Sequence, residues 1–80
     1  MLRMKYSKHA IYLDECGYRE LGYFNGLQAF LGPDTLITVE ELPSGYRVTI
    51  DSTVRNVGVC YFAHNSQALI QILEEYINEN

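Results

Sequence analysis

Apolar positions near the C-terminus follow a helical rhythm. Leu69, Ile72, Leu73, Tyr76 and Ile77 stand at i, i+3, i+4, i+7 and i+8, which puts them on one stripe of an amphipathic helix. Gln67, Gln71, Glu74 and Glu75 take the opposite face, and Asn65 or Ser66 offers an N-cap oxygen. Upstream the rhythm shortens to two. Tyr46, Val48 and Ile50 alternate with Arg47, Thr49 and Asp51, the pattern of a half-buried strand. Leu36 to Leu42 is rich in β-branched residues and is joined to that strand by Pro43-Ser44-Gly45, which is turn chemistry. Val57 to Ala63 is apolar on both faces, which predicts a strand in the centre of the sheet. Connections this short make the strands an antiparallel meander.

The first third admits two readings. His9 to Asp14 alternates and ends at Glu15-Cys16-Gly17, so it reads as a strand, with Tyr18 to Phe24 returning as the second arm of a hairpin. Alternatively, Leu21, Phe24, Leu27 and Leu31 have helical spacing within a helix from about 18 to 31. Gly22 and Gly26 would each cost that helix about 1 kcal/mol, and Tyr18, Tyr23 and Phe24 favour extended backbone, so the hairpin is preferred. A short helical turn over Asn25 to Leu31 then stops at Gly32-Pro33.

These elements predict an α+β fold in one domain over residues 1–80. A small antiparallel sheet, a meander of three to five strands, packs against the C-terminal amphipathic helix. One helix covers one face of a sheet. The other face would carry Arg47, Thr49 and Asp51 together with Cys60 and Phe62, and it suits a partner or a second copy of the chain as a homodimer. A helix in the first third could cover it instead.

Composition narrows the setting. The hydrophobic fraction of 48% is too high for intrinsic disorder, yet no apolar run approaches the ~20 residues of a membrane span. Met1-Leu2-Arg3-Met4-Lys5-Tyr6 lacks the apolar stretch of a signal peptide, so the expected location is cytoplasmic. Two distant cysteines, Cys16 and Cys60, read as free, partly buried thiols and not as a disulfide framework. Ten acids against six bases give a net charge of −4, which disfavours a phosphate backbone as ligand and favours a basic protein surface.

Candidate chemistry is sparse. His9, Cys16, Cys60 and His64 are the metal-ligand types outside the carboxylates, but they form no CxxC or HxxxH pair. Neither cysteine sits in a nucleophile elbow. Asp14-Glu15 and Glu40-Glu41 are adjacent pairs, and neighbours on a strand point to opposite faces. The glycines fit neither a P-loop nor a dinucleotide fingerprint. No enzyme, cofactor or metal site is expected.

Seven tyrosines in 80 residues are the compositional oddity, since tyrosine is favoured at binding hot spots. Tyr46, Tyr61 and Tyr76 are expected in the core. Tyr12, Tyr18 and Tyr23 are left beside Asp14, Glu15 and Glu20. The expected function is therefore a small non-enzymatic protein-binding domain, an inhibitor that occludes a basic surface of its partner. Phage anti-defence proteins (anti-CRISPRs among them), immunity proteins and antitoxins are of this type. Asp14, Glu15, Tyr18, Glu20, Glu40 and Glu41 are the candidate contacts. The alternative is a nucleic-acid-binding accessory protein that uses Arg3, Lys5 and Lys8 with Tyr6 as a stacking platform.

Overall fold

The computed structural model describes residues 7–54 and 58–78. In chain order these form α1 (Lys8–Glu15), β1 (Arg19–Phe24), β2 (Leu27–Leu31), β3 (Thr35–Leu42), β4 (Gly45–Ser52), β5 (Gly58–Ala63) and α2 (Ser66–Asn78). The strands make a single antiparallel sheet in the order β1-β2-β3-β4-β5, and α2 packs against it. The expected α+β meander is therefore the fold.

Two helices share one face of this sheet. α1 lies against β1, α2 lies against β4 and β5, and the helices touch each other. Beneath them Phe30, Ile37 and Ile50 stand in register across β2, β3 and β4, with Val39 and Val48 beside them, all buried. Leu69 and Leu73 of α2 and Leu13 of α1 close the core from above. Asn65 caps α2: its Oδ1 accepts from the Ala68 amide at 2.8 Å. Such a cap contributes about 1 kcal/mol.

The strand expected over His9 to Asp14 is a helix. His9 and Leu13 are its buried residues, and a spacing of four suits both a strand and a helix face. Position 11 separates the two: a strand would bury Ile11, whereas it is 46% exposed and Tyr12 turns inward. The Glu15-Cys16-Gly17 segment is a helix stop, not a hairpin turn. Gly17 takes φ +94°, its amide donates to Asp14 O, and the Tyr18 amide donates to Leu13 O at 2.9 Å. That pair of bonds is a Schellman cap, with Tyr18 and Leu13 in apolar contact through the core.

The helical turn expected over Asn25 to Leu31 is also absent. Asn25 and Gly26 take φ of 56° and 84°, a two-residue hairpin turn joining Phe24 to Leu27. Neither the short turn nor the rival helix over 18–31 forms. The last strand, expected in the centre, is the edge strand β5, and β3 is central. Val57 lies outside the described residues. Val59 and Tyr61 of β5 face the helix side yet stay more than 40% exposed, because the helices cover the middle of the sheet better than its rim. Both cysteines, expected to be partly buried, are exposed.

The far face of the sheet carries no element among the described residues, since α1 joined α2 on the same side. It presents three rows across the five strands. The first row is Arg19, Leu31, Leu36, Asp51 and Gly58. The middle row is Gly22, Ala29, Thr38, Thr49 and Cys60, all small or short. The third row is Phe24, Leu27, Glu40, Arg47 and Phe62.

Candidate functional site

A groove of about 360 Å³ runs between α1 and the β1–β2 corner. Ala10, Ile11, Asp14 and Glu15 line it from α1, with Tyr18 and Glu20 from the start of β1 and Phe30 from β2. Three of these seven residues are carboxylates and none is basic. Asp14, Glu15 and Glu20 are exposed at its rim, while Ile11, Tyr18 and Phe30 make an apolar wall.

A buried polar chain supports the groove from within. The Gln28 side-chain amide donates from Nε2 to Glu20 Oε2 at 2.9 Å. That contact turns Gln28 Oε1 toward His9 Nε2, also at 2.9 Å. Because Oε1 only accepts, the His9 proton sits on Nε2, and Nδ1 is an acceptor with no partner among the described residues. Ser7 Oγ lies 3.2 Å from the same Nε2, and the Ser7 side chain makes no helix cap. The imidazole is 1% exposed and meets the rings of Phe30 and Tyr46 edge-on.

Burial holds the His9 pKa below its ordinary 6.5; the Gln28 hydrogen bond and the charges of Glu41 and Glu20 oppose that shift. A histidine whose folded pKa is depressed contributes stability that is complete above the unfolded value. That stability is lost as pH falls below about 6.5, because the unfolded chain takes the proton first. The urea midpoint is therefore expected to fall between pH 7.5 and pH 5.5, and a His9→Phe variant is expected to lose that slope. An equal slope in both proteins would assign the pH dependence elsewhere.

The six expected contacts fall in three places. Asp14, Glu15, Tyr18 and Glu20 gather around the groove. Tyr18 is in its wall and not on its rim: it is 9% exposed, and its ring lies on Gly32, where a Cβ would stand 2.6 Å from Cε2. It belongs both to the core and to the groove wall. Glu40 is on the far sheet face, paired with Arg47 at 3.1 Å. Glu41 is on the helix side at the β3–β4 end, where it accepts from the Tyr23 hydroxyl at 3.0 Å and lines a second, open depression with Tyr46 and His64. Ile11 and Phe30 belong to the groove but were not among the expected contacts.

Of the basic N-terminal segment, Arg3, Lys5 and Tyr6 lie outside the described residues, and Lys8 is an exposed residue in the first turn of α1. No three His, Cys, Asp or Glu side chains among the described residues are placed to hold a metal ion. No helix among them is long and apolar enough to cross a membrane. Comparison of the chain with protein-family models, with curated proteins and with solved structures gives no match.

Proposed function

We propose that this chain is a non-enzymatic protein-binding domain of the inhibitor type, which seats a basic side chain of its partner in the α1–β1 groove and so occludes a basic surface. The observation that carries this reading is the make-up of the groove: Asp14, Glu15 and Glu20 at the rim, an apolar wall of Ile11, Tyr18 and Phe30, and no base among the described residues that line it. Lysine and arginine have the matching shape, an aliphatic stem for the wall and a charged head for the carboxylates. Glu20 is already held by Gln28, so part of the acceptor set is ordered before binding. The net charge of −4 would speed encounter with a basic surface and repel nucleic acid. Anti-defence proteins, immunity proteins and antitoxins act by occlusion of this kind, in the cytoplasm. The open sheet face lies on the other side of the sheet, so self-association there leaves the groove free.

The test compares tagged wild-type protein with the Asp14→Lys/Glu15→Lys variant in pull-downs from host lysate at low and moderate salt. A basic protein retained in stoichiometric amount by the wild type and lost by the variant is the expected result. Equal retention by both would remove the groove from the interaction. Recovery of nucleic acid would favour the N-terminal bases.

A further inference from the structure

The far sheet face is apolar enough to require cover. Phe24 is 78% exposed there, and Leu27, Leu31 and Phe62 lie between 37% and 46%. It is also the electrically neutral part of an acidic molecule. Arg19 and Arg47 balance Glu40 and Asp51 on this face, whereas the rest of the described residues set seven acids against Lys8 alone. A second copy therefore meets no net repulsion here, as it would on the helix side.

We infer that a second copy of the chain covers this face, related by a twofold axis that runs along the middle row, across the strands. Rotation about that axis sets each first-row residue against the third-row residue of the same strand in the other copy. On β4 this places Asp51 against Arg47 of the second copy, and symmetry repeats the pair. On β2 it places Leu31 against Leu27, on β1 Arg19 against the ring of Phe24, and on β5 Gly58 against Phe62. Of the apolar side chains only Leu36 meets a carboxylate, that of Glu40, which is already on its own Arg47. A twofold along the strands has the opposite outcome. It would set Glu40 against Glu40 at the central strand, with Asp51 and Arg47 against leucines.

The size of the face agrees. Five strands about 4.8 Å apart and three rows about 6.7 Å apart give a patch of about 24 by 20 Å. Two such patches bury about 1,000 Å², the lower bound for a specific interface. The short middle row lets the sheets approach to the usual spacing of about 10 Å.

Sedimentation equilibrium of the full chain at about 100 µM, where an interface of micromolar affinity is filled, tests this inference. The wild type is expected to be a dimer. Thr38→Arg, at the centre of the middle row, is expected to be a monomer with an unchanged circular dichroism spectrum. Arg47→Glu and Asp51→Lys are each expected to weaken the dimer by about tenfold or more, and the double variant to restore it, because the swapped charges again face each other across the axis. A monomeric wild type, or a dimer indifferent to Thr38→Arg, would overturn the inference. Single losses without rescue in the double variant would overturn the axis.

Discussion

Replacing Phe30 with alanine is expected to remove about 4 kcal/mol of stability. Phe30 is 1% exposed, stands in register between Glu20 and Ile37, and meets the His9 ring edge-on at 6.2 Å. It therefore ties α1 to the sheet and forms part of the groove wall. Loss of its ring leaves a cavity under α1 that backbone paired on both sides of β2 cannot collapse to fill. An 80-residue domain commonly has about 4–12 kcal/mol in all, so this single change removes about a third of its stability or more. Urea unfolding followed by circular dichroism checks this, with Tyr61→Ala as control. Tyr61 is 43% exposed on the helix side of β5 and its loss should cost far less. Similar costs for the two would contradict the placement of the core.

The second large effect is expected at Gly45, the first residue of β4. Its φ is +151°, and a Cβ there would run into the backbone carbonyl of Ala63, with Phe62 Cζ at 3.0 Å and His64 Cα at 3.1 Å. The obstacle is main chain of the neighbouring strand, so no rotamer change relieves it. Gly45→Ala is expected to cost about 3 kcal/mol, combining an unfavourable dihedral with a displaced β4–β5 pair. Gly17→Ala separates the two causes. Its φ is +94°, but none of the described residues lies within 4 Å of the added carbon, so about 1 kcal/mol is expected from the dihedral alone. Equal losses in thermal stability at the two sites would show that the close approach of β5 carries no weight.

Long runs with an unambiguous period were legible in the sequence. Residues 46–51 alternate without exception, and 69–77 keep a helical stripe over two turns, so β4 and α2 fall where the pattern puts them. α1 was not legible because eight residues hold only one pair of buried positions, and His9 and Leu13 are four apart, which satisfies both periods. The β1–β2 hairpin did carry a signal, the Asn25-Gly26 dipeptide, whose two positive φ angles suit a primed turn. Helical spacing among Leu21, Phe24, Leu27 and Leu31 masked it. Phe24, Leu27 and Leu31 stand on the sheet face that no element covers among the described residues, and Leu21 is exposed at the irregularity between Glu20 and Gly22. An apolar surface of that kind imitates core in any periodicity argument. The same substitution of surface for core put β5 in the centre.

Asp14, Glu15, Tyr18 and Glu20 line one groove despite the error in local structure, for a simple reason. Asp14 and Glu15 lie within six residues of Tyr18 and Glu20, and either a hairpin turn or a helix cap reverses the chain between them. Phe30 and Ile11 could not be assigned to it, since their places depend on β2 pairing and on the helical rotation of α1.

The most direct test of the groove reading is amide chemical-shift mapping. The ¹⁵N-labelled domain is titrated with a short peptide rich in lysine and arginine, at low and then at moderate salt. The shifts are expected to concentrate on 10–15, Glu20 and Phe30, to saturate, and to be lost in Asp14→Lys/Glu15→Lys. Shifts centred on Glu74 and Glu75 of α2, or spread evenly over every exposed carboxylate, would contradict it: the acidity would then be a property of the whole surface, and the groove would have no part in recognition.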